Sequence, residues 1–163
     1  MKSTRKEAST AAKIELVIED NKSNPTEAAN AAEKLIVRDK VPVMLGAWSS
    51  TYTLAAMPKL MEYKVPMVVE TSGADKITTS GNPYVFRICP TNGMEALSFA
   101  RHVAALNIRK ADMLVVNNDW GRGSADAFQA MLKEKGGHRR TRADHGCISP
   151  RYDVAAVDPQ GHR

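Results

Sequence analysis

From Lys13 to Gly136 the chain alternates short apolar runs with amphipathic stretches, and nothing else in it constrains the fold so strongly. Residues 13–20 read as a strand, with Ile14, Leu16 and Ile18 on one face. Asn24-Pro25-Thr26-Glu27 follows as helix cap, first-turn proline and third-position glutamate. The helix it opens puts Ala28, Ala32, Leu35 and Ile36 on one face. Residues 41–46 are wholly apolar, the pattern of a parallel strand buried on both faces. A helix from Ser49 or Ser50 carries Leu54, Met57, Leu60 and Met61, with a kink expected at Pro58. Residues 65–71 are the next strand, 72–82 a polar loop and 84–89 another strand. A helix over 94–106, a strand over 113–117 and a helix over 124–135 complete the series, the last burying Ala127, Phe128, Met131 and Leu132. Strands alternating with helices predict an α/β fold with a mainly parallel sheet.

After Gly136 the periodicity stops. Residues 137–163 hold five arginines, three of the four histidines and no lysine, and residues 1–12 are equally formless. Both read as disordered tails. Of the formal charge of +5, +4 sits in these ends, because residues 13–136 hold 15 basic and 14 acidic side chains. A near-neutral body argues against nucleic acid as a partner, while a basic terminal arm that meets phosphate stays open. A hydrophobic fraction of 43% suits a soluble globular domain, and no apolar run is long enough to cross a bilayer. No apolar stretch follows Lys2, Arg5 and Lys6, so no intact signal peptide is read and this chain is expected to stay cytoplasmic.

Chemical motifs are scarce. Cys89 and Cys147 stand far apart without metal-site spacing, and Cys89 reads as a small buried residue at a strand end. Gly121-Arg122-Gly123 follows a strand as a dinucleotide loop does, but Asp126 occupies the place of the third glycine. No Gly-x-Ser-x-Gly elbow occurs. His102 is read as solvated or packed on its helix, and His138, His145 and His162 lack a ligating rhythm. Catalytic residues, a metal and a cofactor are therefore not expected.

Five segments carry a resemblance. They are Glu19-Asp20-Asn21-Lys22-Ser23-Asn24-Pro25, Leu45-Gly46-Ala47-Trp48-Ser49-Ser50-Thr51, Val65-Pro66-Met67-Val68-Val69-Glu70-Thr71-Ser72-Gly73-Ala74, Tyr84-Val85-Phe86-Arg87 and Asn118-Asp119-Trp120-Gly121-Arg122-Gly123. In this order and spacing they resemble type I periplasmic solute-binding proteins of ABC transporters, the leucine/isoleucine/valine-binding class. The resemblance implies a doubly wound parallel-sheet fold of two hinged lobes that close on a ligand. On that template, residues 13–90 are a partial first lobe and 91–136 the start of a second, so the fold is incomplete. The family's first strand is missing, which would leave the strands at Lys13 and Val41 each without a neighbour and the product poorly stable. Codons compatible with residues 1–12, read two bases later, can spell a segment similar to the family's glycine-rich loop. Codons compatible with residues 144–161, read one base later, can spell a family-like continuation. Residues 1–12 and 137–163 are thus expected to be out of frame, and the DNA sequence tests this.

The resemblance also implies a site. Ser49 and Ser50 lie where a strand ends and a helix begins, where free N–H groups and the helix dipole favour a ligand carboxylate. Ser50 is the better match, and plain helix capping is the other reading. At Thr71, Ser72 and Gly73 the family offers a carbonyl to the ammonium and an amide or hydroxyl to the carboxylate; an ordinary glycine-containing loop is the other reading. Trp48 either contacts the ligand side chain or packs in the core. Trp120 either covers the ligand from the second lobe or is a surface aromatic on a loop. The implied function is the substrate-binding component of an importer for branched-chain amino acids or similar small polar solutes, delivering its ligand to a membrane permease. The intact parent would be periplasmic and not an enzyme; the present chain would be truncated and non-functional. Two alternatives remain: a ligand-sensing domain of a regulator or receptor, and a nucleotide-linked α/β enzyme domain. The latter needs a phosphate loop or a nucleophile with its base, and neither is found.

Overall fold

The computed structural model describes residues 14–139. The expected leader at 1–12, the tail from 140 onwards, and with it Cys147, His145 and His162, lie outside the described residues.

The α/β class and the parallel sheet are observed. Helix α1 (Pro25–Val37) starts as its sequence dictates, with Asn24 Oδ1 accepting from the N–H groups of Thr26 (2.8 Å) and Glu27 (3.2 Å). Strand β1 (Met44–Leu45) leads into α2 (Ser50–Tyr63), which runs on through Pro58. Strand β2 (Met67–Val69), the short helix α3 (Lys76–Thr79) and β3 (Val85–Arg87) follow. The three strands form one parallel sheet in the order β1-β2-β3, with Met44 opposite Met67 and Met67 opposite Val85.

Because side chains alternate across a strand, one sheet face carries Met44, Met67, Val69 and Val85. That face packs on Ala32 and Ile36 of α1, on Ala56, Met57 and Leu60 of α2, and on Ile77 of α3. The other face carries Leu45, Phe86 and, just beyond β3, Ile88, and it is exposed, with Leu45 at 72% and Ile88 at 74%. Residues 41–46, read as buried on both faces, are therefore buried on one, since no layer of the described residues covers the second.

Residues 14–20 also depart from expectation. They make no ladder among the described residues, and Ile14 and Ile18 are each 84% exposed. Alternation supplies a face for a strand, but a strand forms only where a neighbour takes its backbone groups. The outer edge of β1 is likewise unpaired among the described residues.

The second cluster joins α4 (Asn92–Ala105) to α5 (Asp119–Glu134) through Ala96, Ala100, Met131 and Leu132, with the Phe99 and Phe128 rings 5.4 Å apart. Helix α5 begins at Asp119 and not near Ser124, because Asn118 Oδ1 caps it by accepting from Gly121 N–H at 2.8 Å. Strand β4 (Lys110–Ala111) pairs in parallel with β5 (His138–Arg139). Two corrections follow. The ladder lies ahead of the expected strand at 113–117, and the first residues after Gly137, expected to be formless, supply its partner.

Candidate functional site

Two turns at the ends of β1 and β2 meet through buried hydroxyls. Ser50, the first residue of α2, is fully buried, and its Oγ accepts from the Ala74 N–H at 3.1 Å. Ser72 Oγ donates to the Ala47 carbonyl at 2.5 Å and shares a 2.7 Å hydrogen bond with Thr53 Oγ1. Thr53, also fully buried, takes the Ala47 N–H at 3.3 Å. With both lone pair and proton engaged inside the protein, the Ser72 hydroxyl braces the turns. Ser50 keeps its own proton for another acceptor. Ser49 occupies the cap position of α2, but its side chain makes no capping bond.

Arg87, an inward-facing residue of β3, holds the same turn from below. It donates to the carbonyls of Ser72 (2.8 Å) and Ala74 (2.6 Å) and to Thr78 Oγ1 (3.2 Å). The Gly73 carbonyl between them accepts from Asn92 N–H at 2.8 Å. Gly73 itself is a point of close approach: a β-carbon there would lie 2.7 Å from Asn92 Oδ1 and 3.1 Å from the Trp120 ring atoms Cδ1 and Nε1.

Trp120 therefore stands in the first turn of α5, not on a loop, with its indole against Gly73 and its carbonyl accepting from Asn92 Nδ2 at 3.0 Å. It is 41% exposed. Trp48 is 78% exposed at the rim, so it does not pack in the core. Thr71 is exposed beside Glu70. Of the seven expected positions, Ser50, Ser72, Gly73 and Trp120 are brought into direct or near contact, Ser49 adjoins them, and Trp48 and Thr71 stand at the edge.

A groove of about 460 Å³ opens beside this cluster between α3 and α5, lined among others by Lys76, Asp119, Arg122 and Asp126. Asp119 accepts from Lys76 Nζ at 2.5 Å and from the Thr51 hydroxyl at 2.7 Å. These bonds, the Lys76 one first, hold its carboxyl below the ordinary value against the opposing effect of burial. Among the described residues no three His, Cys, Asp or Glu side chains gather as a metal site. Cys89 is half-buried against the first core cluster.

Thr53, Arg87, Asn92, Lys76 and Asp119 were missed in the sequence. Arg87 and Asp119 stood inside segments that carry the resemblance, with no role read for them.

A model of the family described as periplasmic binding protein matches residues 7–147. The chain belongs to the periplasmic binding protein family. An amino acid binding protein of Pseudomonas aeruginosa is 28% identical over 127 residues, which cover 76% of this chain and 33% of that protein. The crystal structure of a leucine binding protein from Thermotoga maritima superposes with a TM-score of 0.73 at 30% identity, covering 80% of this chain and 37% of that one. A solute binding protein of an ABC transporter from Rhodopseudomonas palustris, solved in complex with 3,4-dihydroxybenzoic acid, gives 0.72 at 29%, covering 78% and 35%. This periplasmic binding protein chain thus spans about a third of the length of the relatives it matches. No helix among its described residues is long and apolar enough to cross a membrane.

Proposed function

We propose that this chain is part of the substrate-binding component of an ABC importer, a receptor for branched-chain amino acids or similar small polar solutes. The observation that carries the reading is the shared rim: Ser50 and Ala74 join the two strand-end turns at 3.1 Å, and Trp120 faces Gly73 across them. A zwitterion or a small carboxylate needs such a cradle, with N–H groups at a helix start and an aromatic lid. Ser50 has a proton left to donate, Ser49 and Thr71 are within reach of the rim, and Trp48 is free to meet a ligand side chain. The names of the relatives support both ligand classes, amino acids and hydroxybenzoates.

In this reading residues 13–90 act as the first lobe and 91–136 begin the second. The receptor works by capture in the periplasm and delivery to a permease, with no bond made or broken. The 163-residue chain by itself supplies one wall of the second lobe, so it closes poorly on a solute; micromolar binding of a free amino acid by this chain alone contradicts that part.

The decisive test is a chimera. Residues 14–139 replace the matching segment of the Thermotoga maritima leucine binding protein, and calorimetry follows binding of leucine, isoleucine, valine and 4-hydroxybenzoate. Saturable binding of one of them, weakened by S50A and W120A, is expected. A folded chimera that binds none of these overturns the receptor reading.

A further inference from the structure

One carboxylate joins α5 to two other elements without belonging to the rim that would touch a solute. Asp119, the first residue of α5, presents one oxygen to Lys76 Nζ of α3 (2.5 Å) and the other to the Thr51 hydroxyl of α2 (2.7 Å). Its own N–H returns a hydrogen bond to Thr51 Oγ1 at 3.3 Å, so the two residues exchange donors and acceptors. Arg122 Nη2, from its own helix, lies 3.6 Å away. A lone exposed ion pair contributes little. Here the same carboxylate also has a neutral hydroxyl donor and sits at the positive end of α5, so three effects act on one group.

The consequence falls on the next residue. Trp120 can cover Gly73 only if the first turn of α5 stays close to the ends of α2 and α3. Its carbonyl is held by Asn92 of α4, whose own N–H bonds the Gly73 carbonyl at 2.8 Å, so Asn92 ties Trp120 to the turn from one side and Asp119 ties the helix start from the other. Asp119 makes side-chain bonds that reach from α5 to both α2 and α3.

We propose that Asp119 is a positioning residue: by bonding Thr51 and Lys76 it latches the start of α5 across the cleft and sets the placement of the Trp120 indole over Gly73. The use of this latch, to hold an aromatic lid at a fixed height above a solute, rests on the receptor reading; the latch itself does not.

The test needs no ligand. The chain has two tryptophans, so W48F leaves Trp120 as the only one. Acrylamide quenching of Trp120 is then compared in W48F, W48F/D119N, W48F/K76M and W48F/D119E. Trp120 is 41% exposed, so release of the latch in D119N raises the quenching constant about twofold. K76M gives a smaller rise, and D119E returns the value towards that of W48F. Quenching equal to W48F in both D119N and K76M overturns the proposal, whatever the thermal midpoint does, because Asp119 then only stabilises its helix. Should D119N fail to fold, K76M decides, since the Lys76 side chain is 56% exposed. A chimera that binds no solute removes the receptor reading and leaves this result standing.

Discussion

Thr53 shows how much a single hydroxyl holds in this protein. Valine at this position matches its shape but strips the bonds to Ser72 and Ala47 and leaves the Ser72 hydroxyl with one partner fewer in a buried place. T53V is expected to lower unfolding stability in urea by about 1–3 kcal/mol, and T53S to stay near the parent. Gly121 makes the complementary case for the absence of a side chain. A β-carbon there would lie 2.0 Å from the Val116 carbonyl oxygen, a main-chain atom that cannot swing away. G121A is expected to cost about 3 kcal/mol in the same urea titration, through forced movement of the first turn of α5. Its glycine looked like a loop signal in the sequence; it is a packing requirement inside a helix.

At the level of elements, helices were more legible than strands. Asn24-Pro25 announced α1 because capping and a first-turn proline act within four residues of the chain. N24A is expected to cost about 1 kcal/mol, read as a lower thermal midpoint with unchanged circular dichroism at low temperature. The strands needed partners that no local pattern names. Residues 14–20 alternate as well as any strand in the chain, yet make no ladder among the described residues. Lys110–Ala111 hardly look like a strand, yet pair with His138–Arg139. The candidate site divides in the same way. Ser50, Ser72, Gly73 and Trp120 were legible through short segments with a family resemblance. Asn92 and Lys76 were not, and Arg87 and Asp119 lay inside such segments with no role read for them, because each acts on a residue more than ten positions away.

For the molecule as a whole, charge across the cleft and exposed apolar surface matter most. The Asp119 carboxyl is held below its ordinary value of 3.8, so the unfolded chain binds that proton more readily than the folded one. Its contribution is fully present above 3.8 and lost as pH falls through the lower folded value. Urea midpoints of the parent are expected to fall over that acid range more steeply than those of D119N. Among the described residues the uncovered sheet face offers Leu45, Phe86 and Ile88 to solvent beside an open strand edge, a combination that favours self-association. I88K is expected to reduce both dye binding by anilinonaphthalene sulfonate and concentration-dependent light scattering, with no loss of thermal stability. By itself the sequence determined the α/β class, the four longer helices and the two turns that form the rim, but not the short helix α3 within the expected loop at 72–82, because periodicity, caps and strand-to-helix turns are local physics. Tertiary structure alone decided which apolar runs became paired strands, which sheet face was covered and which charges met over α5, because each of these depends on a partner brought near by the fold.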